Sequence, residues 1–260
     1  SGVPQEIVGN VLRKNVKVTP ELLEEYLVIY EDGNIISPNE AEISYINSGQ
    51  RIPAEYTFSV LVDLSIPQSG KEQIYNTVSK LIESAPDSCV FLSFFGDYVT
   101  PSIMVTKESY RTHRDNFFAQ SENKYFYSAL YSKLQEFSDI ATEKDSLIKV
   151  QNGYTKNQHI ANRAKENKGK NILFVFTEGS KRPSDETLLF NDIVNYQGEA
   201  SHTVPKVIAL YYTEEGEETS IEVTLQGICV PRDVTGTLIA ERQGRYLPSK
   251  DMEQVLRNFE

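Results

Sequence analysis

The sequence predicts an α/β protein with a doubly wound, mostly parallel open sheet and a β-rich appendage at its N-terminal end. From residue 57 onward, short apolar runs typical of buried strands alternate with segments whose apolar residues recur at helical spacing. The strand-like runs end in turn sequences such as Gly96-Asp97 and Thr177-Glu178-Gly179. Because strand–helix alternation implies right-handed crossovers, the strands are expected to be parallel.

Residues 1–55 lack this alternation, and we expect them to form an appendage separate from a main domain at 56–260. Two turn signals divide this first region. Thr19-Pro20 is suited to the start of a helix, and Asp32-Gly33 favours a β-hairpin. The predicted elements of the appendage are a helix at 22–26 and strands at 26–30, 34–36 and 42–46.

The main domain is predicted to contain six strands and seven helices in alternating order. The strands are expected at 57–62, 89–95, 99–105, 171–176, 206–211 and 245–247. The helices are expected at 71–84, 107–119, 125–137, 157–167, 184–196, 218–228 and 249–259. Pro101 favours a sheet edge for the third strand, since proline cannot donate to a ladder. The run Ser184-Asp185-Glu186 is interpreted as an N-terminal cap.

The composition excludes several classes of function. The net charge of −11 argues against nucleic acid and anionic membrane surfaces, which bind basic patches. The chain has no run of 18 apolar residues, so no membrane span is expected within it. Cys89 and Cys229 lie in apolar runs and are interpreted as buried thiols, with a single disulfide as the alternative.

A candidate binding site follows the first strand of the main domain. The apolar run 60–62 leads directly into Asp63 and Ser65, and a helix follows. Open α/β sheets bind their ligands at the carboxyl ends of such strands. An acid and a hydroxyl suit a hard cation such as Mg²⁺. The next position at the same spacing is Pro67, whose side chain has no oxygen atom that could bind a cation.

The sequence gives weaker signals for nucleotide-binding and hydrolytic sites. The segment 65–72 resembles a phosphate-binding loop, but Glu72 stands where a hydroxyl is required and would repel phosphate. No GxGxxG sequence occurs, and Ser65 is not in a GxSxG elbow. The histidines are scattered without ligand spacing and are interpreted as surface residues: His113, His159 and His202.

Several motifs, in order, resemble those of the von Willebrand factor type A family, whose fold is Rossmann-like. VLVDLS at 60–65 resembles the family's first strand and the start of its DxSxS metal motif. The segments VFLSFFGD at 90–97, FYSAL at 126–130 and ILFVFTEG at 172–179 resemble three later elements. Gly244, Tyr246 and Asp251 resemble the family's closing GGxY…D pattern.

The resemblance implies a metal-ion-dependent adhesion site for Mg²⁺ or Mn²⁺, with one coordination position open for a carboxylate of a partner protein. Asp63 and Ser65 match the first acid and the first serine, and Glu178 replaces the aspartate of the third loop. These three residues are the candidate metal ligands. Ser69 offers a nearby hydroxyl that is out of register.

Two departures from the family pattern weaken the predicted metal site. Pro67 replaces the second serine, and Lys124 stands near the position of the metal-binding threonine. A lysine ammonium beside Asp63 and Glu178 would neutralise both acids and repel a divalent cation. We therefore expect a degenerate site that binds metal weakly or not at all, and no cofactor. Bound Mg²⁺ or Mn²⁺ is the alternative.

The functional expectation is a non-catalytic protein-interaction or adhesion module of a bacterial cell-envelope or surface protein, located outside the cytoplasm. Its partner would be a protein. The candidate binding residues are Asp63, Ser65, Ser69, Lys124 and Glu178. Two alternatives remain open. One is ligand binding through a retained divalent metal, and the other is a hydrolase or enzyme subunit that uses the same crevice.

Overall fold

A computed structural model describes residues 29–31, 34–36, 56–85, 89–138, 140–167, 170–199, 204–214, 219–232, 235–238 and 243–248. The chain divides into two compact units, Ser1–Gln50 and Arg51–Glu260. The described residues of the first unit form an antiparallel hairpin of β1 (Ile29–Glu31) and β2 (Asn34–Ile36), as predicted. The helix predicted at 22–26 and the strand predicted at 42–46 lie outside the described residues.

The second unit is built on a six-stranded sheet, which confirms the predicted α/β class. Its strand order is β5-β4-β3-β6-β7-β8. All neighbouring strands are parallel except β5, which runs antiparallel to β4 at one edge. The strands are β3 (Thr57–Asp63), β4 (Val90–Phe95), β5 (Ile103–Met104), β6 (Asn171–Glu178), β7 (Lys206–Tyr212) and β8 (Arg245–Pro248).

The sheet reverses its winding between β3 and β6. The chain proceeds from β3 to β4 and β5 on one side, and from β6 to β7 and β8 on the other. A crevice forms at such a switch point, outside the carboxyl ends of the two central strands. Asp63 is the last residue of β3, and Glu178 is the last residue of β6. Both predicted acids therefore lie at the switch point.

Helices cover both faces of the sheet. They are α1 (Gln68–Ser84), α2 (Lys107–Tyr110), α3 (Arg114–Phe118), α4 (Phe126–Ser138), α5 (Gln158–Asn167), α6 (Phe190–Glu199) and α7 (Glu222–Cys229). Two 3-10 helices, Arg111–His113 and Glu143–Leu147, lie between them. No helix among the described residues is long and apolar enough to cross a lipid bilayer.

Alternate strand residues pack against opposite helical layers. In β3, Val60 and Val62 belong to the core that includes Val78 of α1. Leu61 belongs to the core on the other face, which includes Leu130 of α4. The central strands β3, β4 and β6 are buried along their whole length, so both of their faces are apolar. This double burial explains why their sequences are continuous apolar runs.

Three predicted elements differ from the structure. In the segment predicted as the edge strand 99–105, the strand is limited to β5, while Val99 forms an isolated antiparallel bridge with Phe95 and the carbonyl of Thr100 accepts a hydrogen bond from Lys133. The helix predicted at 184–196 begins at Phe190, and Asp192 caps it by accepting from the backbone N–H of Leu189 at 2.9 Å. The helix predicted at 107–119 is broken into α2, a 3-10 turn and α3, and the one predicted at 249–259 lies outside the described residues.

Both cysteines are buried free thiols, as interpreted from the sequence. Burial raises the pKa of the Cys229 thiol to about 12. This thiol is therefore protonated at neutral pH, and the thiolate is the reactive form of cysteine.

Gly244 precedes β8 and permits a close approach to β7. A Cβ atom at this position would lie 1.7 Å from the carbonyl oxygen of Val207, a contact that only a shift of the backbone could relieve. We therefore expect Gly244→Ala to lower the free energy of unfolding by at least about 1–3 kcal/mol, measured by urea denaturation. The adjacent exposed change Gln243→Ala is the control, and equal stability of the two variants would contradict this packing.

Candidate functional site

The candidate site is the crest of the sheet, defined here as residues 63–65, 124 and 177–181. Asp63 is fully buried at its centre. One carboxylate oxygen accepts the backbone N–H of Ser65 at 2.8 Å. The other accepts the hydroxyl of Thr177 at 2.8 Å and the backbone N–H of Glu178 at 3.4 Å. Asp63 thus joins the ends of β3 and β6.

Lys124 fills the space next to this carboxylate. Its Nζ lies 3.4 Å from Oδ2 of Asp63, and both side chains are 0% exposed. The same ammonium donates to the carbonyl oxygens of Glu178 at 2.7 Å and Lys181 at 2.8 Å. Two of the three N–H donors of the ammonium are therefore used by these carbonyls, and Asp63 is its ion-pair partner. Burial lowers the pKa of Lys124, while the charges of Asp63 and Glu178 oppose that shift.

Glu178 meets Lys124 through its main chain rather than its carboxylate. Oε1 of Glu178 accepts both the backbone N–H of Ser180 at 2.9 Å and its hydroxyl at 2.7 Å. Oε2 accepts the backbone N–H of Lys181. The carboxylate is therefore folded onto its own turn, where hydrogen-bond donors stabilise its charge.

A second buried ammonium, which the sequence analysis did not identify, lies near Asp63. Lys71 is 1% exposed and donates to the carbonyl oxygens of Leu64 at 3.0 Å and Ala119 at 2.5 Å. Burial lowers its pKa, and the charge of Asp63 raises it. The charge of Asp63 therefore acts on two buried lysines, Lys124 and Lys71.

The two candidate serines are placed differently. The hydroxyl oxygen of Ser65 is buried and has no hydrogen-bond partner among the described residues. Ser69 lies in the first turn of α1, and its hydroxyl is 3.0 Å from the hydroxyl of Tyr212 on an exposed rim. Of the described histidines, His113 lies in a 3-10 helix and His159 in α5. Neither serves Ser65 as a base in this structure, and His202 lies outside the described residues.

The crest does not fit a resident Mg²⁺ or Mn²⁺ ion. Mg²⁺ requires close to six oxygen ligands in octahedral geometry. Both oxygens of Asp63 and both of Glu178 already accept hydrogen bonds, and Ser65 offers the one uncommitted ligand among the candidates. The ammonium of Lys124 occupies the space beside the acid. Among the described residues, no three His, Cys, Asp or Glu side chains are grouped to hold a metal.

The segment between β6 and α6, residues 179–189, begins at the crest and is called the crest loop below. It is paired with the residues before α4. Ser184 donates its N–H to the carbonyl of Lys124 at 2.9 Å, and its hydroxyl accepts the N–H of Lys124 at 2.9 Å. The Nζ of Lys181 donates to the carbonyl of Glu122 at 2.9 Å. These bonds, together with those of Lys124 Nζ, fix the loop.

Glu186 completes this attachment at the start of α4. Its two carboxylate oxygens accept the backbone N–H groups of Tyr127 at 2.9 Å and Ser128 at 2.7 Å. A carboxylate at this position satisfies unpaired donors and interacts favourably with the helix dipole. Burial raises the pKa of Glu186, and the hydrogen bonds from Ser128 oppose that shift. The predicted cap residue therefore caps a different helix from the one expected.

A cleft of about 320 Å³ opens between the crest loop and the start of α7. Arg182, Asp185 and Leu189 line it from the loop, and Ser220 and Thr224 from the α7 side. Unlike Asp63 and Lys124, these loop residues are exposed to solvent. This cleft lies beside the crest and is lined by other residues.

Comparisons with known proteins find no matching family and no matching curated protein. Among solved structures, an aerotolerance-related membrane protein from Bacteroides fragilis with multiple mutations to serines is similar at 14% identity and a TM-score of 0.40. The conserved hypothetical protein BatB from Bacteroides thetaiotaomicron is similar at 11% identity and a TM-score of 0.40. Each match covers 78% of this chain and 98% of the other. The fold described above rests on its own strand order.

Proposed function

We propose that this chain is a non-catalytic protein-interaction module of the von Willebrand factor type A kind, in which Lys124 takes the place of the divalent cation. The observation that carries the proposal is the ammonium of Lys124, bonded to Asp63, to the carbonyl of Glu178 and to the carbonyl of Lys181. It joins three loops at the switch point of the sheet, where the motif resemblance puts a metal ion.

The charge arrangement supports a metal-independent site. A divalent cation brought to the crest would meet the ammonium of Lys124 at contact distance. At 4 Å and an effective dielectric of about 20, each pair of unit charges contributes roughly 4 kcal/mol of repulsion. Lys71 adds a second buried positive charge nearby. Entry of a metal would therefore require displacement of Lys124.

The burial of the crest argues against catalysis by its residues. Asp63 and Lys124 are fully buried, so neither can act on a substrate in solution without rearrangement. Ser65 has no base within hydrogen-bond distance. From the motif resemblance, the proposal also includes that the chain belongs to a bacterial cell-envelope or surface protein and is located outside the cytoplasm.

Titration with metals tests this function. We expect isothermal calorimetry of the chain, after treatment with EDTA, to give no saturable heat with Mg²⁺, Mn²⁺ or Ca²⁺ at millimolar concentration. The melting temperature is likewise expected to stay unchanged in each metal, because Lys124 already neutralises Asp63. A saturable heat that Asp63→Asn abolishes would overturn the metal-independent site. Turnover in a broad hydrolase screen, abolished by the same substitution, would overturn the non-catalytic proposal.

A further inference from the structure

We propose that the outer surface of the crest loop and the start of α7 form the docking surface, and that it binds a partner segment with one carboxylate beside an apolar side chain. This inference rests on the proposed function and names its surface and partner chemistry. The surface is defined by Arg182, Leu189 and Val223, around the cleft described above.

The buried crest leaves partner contact to the residues around it. Asp63 and Lys124 are 0% exposed, and the carboxylate of Glu178 is held by its own turn. Arg182 and Leu189 of the crest loop are exposed and can be reached by a partner where Asp63 and Lys124 cannot. The cleft beside that loop is concave and holds both polar and apolar groups, as ligand sites do.

Arg182 supplies the polar half of the surface. Its side chain is exposed, lines the cleft, and has no ion-pair or hydrogen-bond partner among the described residues. A guanidinium binds a carboxylate through two parallel N–H bonds, which gives both strength and direction. The chain as a whole carries a net charge of −11 and repels strongly acidic partners. The unpaired guanidinium of Arg182 nevertheless attracts a single carboxylate at short range.

Two acids limit the partner to a single carboxylate. Asp185 also lines the cleft and is exposed, so it would repel a second negative charge. Glu186 lines the cleft as well, but both of its oxygens are held by the start of α4. A partner segment rich in acids is therefore disfavoured, and one acid aligned with Arg182 is favoured.

Leu189 and Val223 supply the apolar half. Leu189 is 58% exposed and Val223 is 82% exposed, both large fractions for aliphatic side chains. Leu189 lines the cleft together with Thr224, the residue that follows Val223. The ring of Phe190 packs against Gly227, which lies one turn after Val223 in α7 and has no side chain to prevent this contact. Val223 is therefore one residue from a lining position of the cleft, on the helix that packs beside Phe190.

The docking surface is also preorganised. The hydrogen bonds of Lys124, Lys181, Ser184 and Glu186 fix the crest loop against the start of α4. A surface that is ordered before binding loses less conformational entropy when a partner docks. Arginine is among the residues that most often anchor a protein interface.

Selection from a random peptide library displayed on phage tests this inference, with the whole chain immobilised in EDTA. The enriched peptides are expected to carry one Asp or Glu within a few residues of Leu, Ile, Val or Phe. A synthetic peptide of the consensus sequence is then titrated by fluorescence polarisation. We expect Arg182→Ala to weaken its binding by about tenfold or more, since each tenfold corresponds to about 1.4 kcal/mol. Arg182→Lys should recover only part of that loss, because the bidentate contact is missing.

Matched variants elsewhere on the surface complete the test. Val223→Ser should weaken the peptide several-fold, whereas Arg111→Ala and Met104→Ser, an exposed arginine and an exposed apolar residue elsewhere, should leave it unchanged. A basic consensus, binding that ignores Arg182→Ala, or no enrichment would each overturn the inference. Self-association of the chain that Val223→Ser abolishes would also overturn it, with a second copy as the occupant. The metal titration above decides the proposed function separately.

Discussion

Lys133→Ala is expected to lower the free energy of unfolding by about 3–5 kcal/mol, measured by urea denaturation at neutral pH. Lys133 lies in the middle of α4 and is 0% exposed. Its Nζ is 3.2 Å from Oε1 of Glu136, which is also 0% exposed. Removal of the lysine would leave a carboxylate buried without its counter-charge, and an unpaired buried charge is among the most destabilising single changes.

The surroundings of this pair increase the expected loss. The same ammonium donates to the hydroxyl of Ser102 at 2.9 Å and to the carbonyl of Thr100 at 3.1 Å. Glu136 accepts hydrogen bonds from Ser102 at 2.5 Å and from Tyr154 at 2.8 Å. The cluster therefore joins α4 to the edge of the sheet and to the segment before α5. Without Lys133, the carbonyl of Thr100 would lose its buried partner as well.

A matched exposed pair provides the control for this prediction. Lys144 lies 3.2 Å from Asp192 with 38% of its side chain exposed, so Lys144→Ala should change stability by less than about 1 kcal/mol. The double variant Lys133→Met with Glu136→Met removes both buried charges together and should recover part of the loss. If Lys133→Ala unfolds at the same urea concentration as the unchanged chain, the buried ion pair contributes nothing and the prediction is wrong.

The spacing of Lys133 in the sequence is a signal for this cluster. Lys133 is three residues after Leu130 and four before Phe137, which places it on the apolar face of α4. Lys71 is likewise three residues before Ile74, on the apolar face of α1. A lysine within an apolar stripe is either buried and paired or extended to solvent. Spacing identifies Glu136 as a possible partner of Lys133 on the same helix, whereas the acceptors of Lys71, the carbonyls of Leu64 and Ala119, are identified only by the fold.

The strands were predictable because their signal is local. Continuous apolar runs such as 171–176 are long enough to identify a buried strand, and their order along the chain implies the parallel sheet. Asp63 could be placed at the switch point for the same reason, since it directly follows such a run. The fold class, which depends on these runs, is confirmed in the six-stranded sheet.

The crest loop was not predictable because its polar groups bind distant residues. Ser184 and Glu186 have the spacing of a cap for the helix that follows. Instead, Ser184 bonds to Lys124, and Glu186 accepts N–H groups from the start of α4, which is 58 residues away. A capping side chain satisfies any helix end that tertiary structure brings near it. Local spacing therefore identifies the type of residue but not which helix it caps.

Lys124→Thr is expected to destabilise the chain strongly and to convert the crest into a metal-dependent site. In EDTA, the variant should lose about 3–5 kcal/mol of unfolding free energy, because Asp63 would remain buried without a cation. The shorter threonine would vacate the place of the ammonium, and the remaining candidate ligands would be Asp63, the new hydroxyl and the uncommitted hydroxyl of Ser65. Added Mn²⁺ or Mg²⁺ should then raise the melting temperature of the variant and leave that of the unchanged chain where it is.

The size of the metal effect separates this explanation from a simple loss of packing. A ligand at a hundred times its dissociation constant stabilises the folded state by about 2.7 kcal/mol, so saturating metal should restore much of the loss. Lys181→Thr is the matched control, since its Nζ donates to the carbonyl of Glu122 at an exposed position. Its stability in EDTA should stay close to that of the unchanged chain, and added metal should not raise its melting temperature. Adding Asp63→Asn to Lys124→Thr should abolish the metal response. If Lys124→Thr is as stable as the unchanged chain in EDTA, or is destabilised but indifferent to Mn²⁺, then Lys124 does not occupy the place of a cation.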